Sequence, residues 1–231
     1  MIFGDGMLAN AFSKYSDVNP NIVIFASGVS DSSCTDEDEF KRERLFLENS
    51  IRENKNANPF LYFSTCSIDD FGSLASMYVR HKLQMESIVL KHSNSIIFRL
   101  PQVVGPGGNP KTFVNFLYWS IKNGREFELW ENSTRNIIDV DDVVKIVKYY
   151  IASFSIRQNI VNIANPKNYK VIEVVNLMES LLNRKALYQI RNKGAKYTVD
   201  ISEISRIIKE RTKLFEDDYL QKTLKKYYSL N

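Results

Sequence analysis

The chain is short of the residues that mark disulfide-bonded, metal-binding or membrane-spanning proteins. It has two cysteines, Cys34 and Cys66, in 231 residues. No pairing of cysteines suggests a zinc site, and with no secretion signal both are expected to be reduced thiols in the cytoplasm. No apolar run approaches the roughly 20 residues of a membrane span. The N-terminus carries no basic leader region and no cleavage site, and Asn132-Ser133-Thr134 reads as a chance sequon. The surplus of positive charge is only +4, too little to argue for nucleic acid, although a mild positive field suits a phosphorylated substrate. The late cluster Lys222, Lys225 and Lys226 reads as the solvated face of a final helix. Asp139, Asp141 and Asp142 are too close together for a metal cluster, and no metal is expected. Asp141 or Asp142 is expected to cap the following helix. Repeats, low-complexity tracts and long linkers are also missing.

With 44% hydrophobic and 25% charged residues, the chain can build a sizeable core. Met1-Ile2-Phe3, Ile22-Val23-Ile24-Phe25, Phe60-Leu61-Tyr62-Phe63 and Ser95-Ile96-Ile97-Phe98 read as strands that are apolar throughout. Helices are expected over Met7–Tyr15, Glu37–Asn54 and Leu74–Lys91. Phe40, Leu45, Leu47 and Ile51 are the expected buried positions of the second. Strands of this kind alternating with helices indicate an α/β fold, a doubly wound parallel sheet covered on both faces. Beyond residue 105 the pattern is less regular. A loop at Gly105–Pro110 leads to a helix over Phe113–Lys122, short strands at Phe127–Trp130 and Asn136–Ile138, and a helix over Val140–Phe154. A strand at Ile160–Ile163 and helices near 172–183, 202–210 and 216–228 complete the chain. Residues 1–231 are read as one domain, with a lobe boundary near residue 105 between a larger organised half, 1–104, and a mixed lobe, 105–231.

Three features carry chemistry. Gly4-Asp5-Gly6-Met7-Leu8-Ala9 joins the first strand to the first helix. The first glycine permits the turn, the second lets a pyrophosphate approach the backbone, and Ala9 keeps the helix near the sheet. The acidic residue that such a turn calls for at the end of the next strand is missing, because that strand ends in Phe25-Ala26-Ser27-Gly28; Asp31 lies beyond it in a loop. Tyr78 and Lys82 lie four residues apart on a helix, hence on one face, where an ammonium can lower a phenol's pKa from about 10 and fit it for proton transfer. Ser64-Thr65-Cys66-Ser67 ends the third strand, where open α/β sheets bind ligands. Each has a plainer reading, respectively an ordinary strand–helix turn, a chance pair, and a turn-capping cluster.

Taken in order, these segments resemble the extended short-chain dehydrogenases/reductases, the nucleotide-sugar epimerases, dehydratases and 4-ketoreductases. Besides the glycine turn and Tyr78-x-x-x-Lys82, the resemblance rests on Val23–Gly28, Tyr62–Ile68, Phe98–Gly107 and Arg135–Val143. It implies a Rossmann-like fold with the adenosine side of the sheet truncated, because about a dozen residues separate Tyr15 from Ala26 where the family inserts two strands and a helix. It implies Thr65, Tyr78 and Lys82 as catalytic residues. A cofactor, NAD or NADP, would lie along Gly4, Asp5, Gly6, Met7, Leu8, Ala26, Ser27, Gly28, Tyr78, Lys82, Pro101 and Val103. A nucleotide-diphosphate sugar would be held by Thr65, Gln102 and Arg135. The alternative for Arg135 is a salt bridge with Asp139 or Asp141.

The resemblance further implies a cytoplasmic enzyme of surface polysaccharide biosynthesis and a homodimer formed through Leu45, Leu47, Met85 and Val89, with no nucleic-acid or membrane partner. A reductase of a 4-keto sugar comes first, an epimerase that retains its cofactor second, and a non-catalytic binding protein third. The Asp-Glu pair of the sugar dehydratases is replaced by Cys66-Ser67, which argues against dehydration. Cys66 lies one place before the position where a GDP-fucose-synthase-type enzyme carries its epimerising cysteine. His81 is expected to pack or face solvent, and His92 to suit a helix end. Trp130 is a candidate for the sugar site, and one aromatic of Phe113, Phe116 and Trp119 for flanking a base.

Overall fold

A computed structural model describes residues 1–13, 21–70, 75–152, 159–211 and 214–229. The expected helix limits at Tyr15, Leu74 and Phe154 fall outside these residues. Five strands, β1 (Ile2–Phe3), β2 (Val23–Phe25), β3 (Phe60–Thr65), β4 (Ser95–Leu100) and β8 (Ile160–Asn162), form one sheet in the order β1-β2-β3-β4-β8. Every pairing in it is parallel, from Ile2 opposite Ile24 to Arg99 opposite Asn162.

The alternation of side chains across each strand explains why the strands read as apolar throughout. Ile24, Leu61, Phe63, Ile96 and Phe98 pack with α1 (Met7–Ser13), α5 (Val140–Ala152) and α7 (Ser202–Arg211) on one face. Val23, Phe25, Phe60, Tyr62 and Ile97 pack with α2 (Glu37–Glu53) and α3 (Met77–Val89) on the other. This is the expected doubly wound arrangement. Its truncation is also visible: β1 stands at the edge of the sheet, with no described strand beyond it.

A second apolar cluster gathers α4 (Phe113–Asn123), α6 (Val171–Leu182) and α8 (Tyr219–Tyr228) around small sheets. β5 (Gln102–Val104), β7 (Thr134–Asp139) and β9 (Asn168–Lys170) make one; β6 (Phe127–Trp130) and β10 (Tyr188–Arg191) make the other. β5, β9 and β10 have no counterpart in the sequence reading. Asp139 takes the expected capping role of Asp141 or Asp142, since its carboxylate accepts from the Asp141 N–H at 2.8 Å. Asp142 instead accepts from the Tyr219 hydroxyl, inside the fold. Lys222, Lys225 and Lys226 lie exposed on α8 as expected, and Lys226 in addition bonds Asp139 and Asp141 at 2.8 and 2.7 Å.

Helix α2 departs most from expectation. Asp36 caps it by accepting from the Asp38 and Glu39 N–H groups. Leu47 is buried as expected and Phe40 and Ile51 are half-buried, but Leu45 is 50% exposed. The inward position belongs to Glu43, which is buried. Its carboxylate accepts from the Val29 N–H (2.8 Å), the Tyr62 hydroxyl (2.8 Å), His81 Nε2 (3.0 Å) and both of its oxygens from the Lys82 ammonium (2.9 and 3.1 Å). A carboxylate can enter a core only when donors replace its water, and here they come from the β2–α2 loop, β3 and α3. Leu47, Met85 and Val89, expected at a dimer face, are fully buried within the chain and cannot contact a partner; Leu45 is left as the exposed member of that set.

Two outcomes follow from the packing. Phe98→Ala removes a ring packed against Phe63 and Tyr150 in the middle of the sheet, and it should lower stability by about 3–5 kcal/mol in urea unfolding. Leu187→Ala, at a 53% exposed position, should change stability by less than about 0.5 kcal/mol. Burial pushes the Glu43 carboxyl up, but the Lys82 charge and the hydrogen bonds from His81, Lys82 and Val29 outweigh it and hold it at about 2, against 4.5 for a free glutamate. A depressed carboxyl stabilises the fold fully above its unfolded value and loses that contribution as the pH falls towards its folded value. Urea midpoints measured from pH 4.5 down to 2 should therefore fall less steeply in Glu43→Gln than in the wild type.

Candidate active site

The carboxyl ends of β2, β3 and β4 open onto a slot of about 450 Å³. Gly6, Met7 and Leu8 from the glycine turn, Ala26, Ser27 and Gly28 after β2, and Thr65, Tyr78 and Lys82 all line it. Pro101, Gln102 and Val103 close it beside β4. Gly4 and Asp5 line an adjoining depression that shares Gly6, Ala26, Ser27 and Gly28 with the slot. The sequence-predicted residues thus converge, apart from Arg135, which is not part of the lining. Its guanidinium lies 5.4 Å from the Phe113 ring centroid, and Phe113 does line the slot. Arg135 also donates to the Thr134 carbonyl at 2.9 Å. The salt-bridge alternative for it is not met, since Asp139 and Asp141 pair with Lys226.

The two glycines of the turn do different work. Gly4 has φ +122°, and a Cβ there would come within 2.5 Å of the Ala26 carbonyl, so a side chain would separate β1 from the end of β2. A Cβ on Gly6 would meet nothing within 4 Å, which leaves open space above the backbone. Gly28 is restricted by charge partners instead: a Cβ would fall 2.8 Å from a Glu43 oxygen and 2.9 Å from the Lys82 ammonium.

Tyr78 and Lys82 are both buried on one face of α3, a helix whose N-cap Ser76 accepts from the Val79 N–H. The Lys82 Nζ is 5.7 Å from the Tyr78 ring centroid. Thr65, at the end of β3, accepts from the Ser67 N–H at 3.1 Å and lines the slot together with Tyr78. The phenol does not titrate as the spacing alone predicts. Burial pushes the Tyr78 pKa above 10, and the Glu43 and Asp31 charges push the same way. The Lys82 charge and the Thr65 hydroxyl pull it down without reversing the direction. At neutral pH Tyr78 therefore holds its proton.

Two neighbours on the third strand differ sharply. The Ser64 hydroxyl is buried, lines the slot and has no hydrogen-bond partner. An orphaned hydroxyl in such a place suits a polar ligand atom. Cys66 is fully buried, lies outside the slot lining, and its thiol is pushed well above its ordinary pKa by burial and by Asp69. It is not placed to exchange a proton with a ligand in the slot. His81 packs, as one of its two expectations had it: it is buried, stacks on Phe40 at 4.5 Å and bonds Glu43. His92 is buried against Phe60. Trp130, Phe116 and Trp119 are exposed and outside the lining.

Glu43 is the residue that sequence reasoning missed. Val29, Asn109, Thr112 and Asn115 also line the wells around the slot. The Gly105–Pro110 loop and its glycine-rich composition were the available signal for Asn109; nothing in the local pattern marks Glu43. The open backbone over Gly6, the orphaned Ser64 hydroxyl and the Lys82 ammonium beside Tyr78 fit the nicotinamide half of a dinucleotide. On the adenosine side, no acid stands at the end of β2, and Asp31 is bound to Ser33 and Lys111. Among the described residues no group of side chains could hold a metal ion, and no helix is long and apolar enough to cross a membrane.

Comparison with known proteins gives the fold and the family. Among solved structures the chain is similar to MoeE5 in complex with UDP-glucose and NAD, at 19% identity and TM-score 0.67, over 89% of this chain and 78% of that one. It is similar to WbmH of Bordetella bronchiseptica in complex with NAD+, at 16% identity and TM-score 0.69, over 98% and 81%. It is also similar to the dTDP-glucose 4,6-dehydratase of Bacillus anthracis in complex with NAD, at 15% identity and TM-score 0.67, over 96% and 78%. These likenesses show the Rossmann-like fold. No curated protein matches the chain. The model of the NAD dependent epimerase/dehydratase family matches residues 5–164, from the glycine turn to the end of the parallel sheet, and the chain accordingly belongs to that NAD-dependent family.

Proposed function

We propose that the chain reduces the keto group of a nucleotide-linked 4-keto sugar in surface polysaccharide biosynthesis, with NADH or NADPH as reductant. The observation that carries this reading is the meeting of Thr65, Tyr78 and Lys82 in the lining of the slot, with the Tyr78 phenol buried and its pKa pushed up rather than down. Reduction of a carbonyl needs a proton donor beside the oxygen, and oxidation of an alcohol needs an acceptor; a loaded phenol suits the first.

In this mechanism Gln102 and Thr65 orient the sugar, with the Thr65 hydroxyl bonding the carbonyl oxygen. Arg135, supported on Phe113, turns from the Thr134 carbonyl to the diphosphate, a fork-shaped contact that suits a guanidinium. Lys82 keeps two N–H bonds on Glu43, which leaves one for a ribose hydroxyl. A reduced nicotinamide, when bound, supplies the hydride to the carbonyl carbon. Tyr78 gives its proton to the oxygen, and solvent restores it once the product leaves. Ser64 offers a further hydrogen bond within the slot. The substrate class draws support from MoeE5, which has been solved with UDP-glucose and with UDP-glucuronic acid.

A reductase exchanges its cofactor at every turnover. An adenosine side with no acid at the end of β2 and β1 at the sheet edge is compatible with that exchange. Cys66 and Ser67 in place of an acidic pair leave dehydration without its acid and base.

Purified chain titrated with NADH and NADPH should saturate with at least one of them and release it on gel filtration. Retention of the cofactor through the column would assign the chain to the epimerases. If neither cofactor binds, even with candidate nucleotide sugars present, the enzymatic reading fails. Tyr78→Phe should retain ligand binding and lose about 10²–10⁴-fold in turnover; turnover at the wild-type rate would remove Tyr78 from the role of acid.

A further inference from the structure

Glu43 has no part in the chemistry described so far, yet it touches the group on which that chemistry depends. Its side chain is 1% exposed and that of Lys82 is 4% exposed, so the two charges form a buried pair. A buried pair is not an economical way to hold a fold together, since apolar residues of similar volume fill such a site as well or better. Leu47, one turn further along α2, shows the apolar solution in the same helix, buried between α2 and the sheet. Packing alone does not call for a carboxylate at position 43.

We propose that Glu43 is a positioning residue for Lys82: its buried carboxylate fixes the ammonium beside Tyr78 and offsets the charge that the ammonium would otherwise impose on the phenol. The geometry supports both halves. Lys82 Nζ reaches both oxygens of Glu43, at 2.9 and 3.1 Å, so two of its three N–H groups are committed and its position is set. The carboxylate is itself immobilised by the Val29 N–H, the Tyr62 hydroxyl and His81. Gly28 leaves the room in which the pair sits, because a Cβ there would meet both charged groups.

The charged and titratable groups around Tyr78 and the pair are Glu43 from α2, His81, Lys82 and Glu86 from α3, Tyr62 from β3 and Asp31 from the loop after β2. Among them Lys82 is the cation that acts on Tyr78, and Glu43 is bound directly to it. Burial is the first cause that keeps the proton on the phenol, and the Glu43 charge adds to it; without the carboxylate the unbalanced ammonium would pull harder toward the phenolate. The inference deepens the reductase reading by explaining why Tyr78 is poised to give a proton rather than take one.

The test needs no turnover. The full chain, labelled with ¹³C at the tyrosine ζ carbon, is followed by NMR as pH rises, and the Tyr78 signal is identified by its loss in Tyr78→Phe. Circular dichroism at each pH restricts the comparison to folded protein. In Glu43→Gln the Tyr78 signal should begin to ionise at lower pH than in the wild type. In Glu43→Asp, which keeps the charge but shortens its reach, the shift should run the same way and be smaller. Gly28→Ala, which crowds the pair without removing either charge, gives a third reading and should also move the Tyr78 transition. A merely structural Glu43 would lower stability and leave the Tyr78 transition of the folded chain unmoved.

An unmoved or upward-moving transition in folded Glu43→Gln overturns the proposal; if that variant does not fold, the same result in Glu43→Asp does so. Should the wild type bind no nicotinamide cofactor while the Tyr78 transition still shifts, the reductase reading falls and the role of Glu43 stands.

Discussion

The meeting of one carboxylate with one ammonium under Gly28 is the constraint around which this molecule is arranged. Glu43 comes from α2, Lys82 from α3, and their further partners come from β3 and the loop after β2. The pair therefore ties the helical layer to the sheet at the end of the strands where ligands bind in open α/β folds. It also accounts for the glycine at position 28, whose Cβ would collide with both charges. The pair sets the placement of Lys82, whose ammonium lies 5.7 Å from the Tyr78 ring centroid. Such a single tie is unlike the rest of the fold, where Phe25, Phe60, Phe98 and their neighbours share the packing among many contacts.

The balance of charge also changes how a Tyr–Lys spacing should be understood. Spacing alone suggests a phenol made acidic by its neighbour. Burial works against that, and in this chain the neighbour's charge is already answered by a carboxylate bonded to it. Which way a phenol beside an ammonium is pushed thus depends on its burial first and on the other charges that surround the pair.

This is why the site was only partly legible in the sequence. The glycine turn, Thr65, Tyr78 and Lys82 are spaced by local geometry, a strand-to-helix turn, a strand end and one helical turn, and local geometry survives into the fold. Glu43 is joined to Lys82 across 39 positions, and in a helix rich in charge it looks like one more solvated residue. Its burial displaced Leu45 to the surface. The central strands were legible because both of their faces are covered, so each shows as an unbroken apolar run. The strands of the second cluster, β5, β9 and β10, are three or four residues long, and tertiary pairing rather than any periodicity defines them. The cap of α5 was likewise expected two or three residues late, at Asp141 or Asp142 rather than at Asp139.

The edge position of β1 bears on cofactor use through the same physical logic. In a wider doubly wound sheet, strands beyond β1 would bring an acid to the adenosine ribose, and binding energy would be spread along the whole dinucleotide. Here β1 is two residues long and paired on one described side. The slot lining gathers Gly6, Gly28, Ser64, Tyr78 and Lys82, the residues proposed to meet the reacting half of the cofactor. Binding energy concentrated at the reacting end favours correct placement of the ring over long residence of the whole cofactor. A chain organised this way gains from having Lys82 held in position before anything binds, because ordering a long side chain at the moment of binding would cost on the order of 1 kcal/mol of the affinity that remains. The buried carboxylate meets that need in advance, and so the shortened sheet and the Glu43–Lys82 pair are two parts of one arrangement.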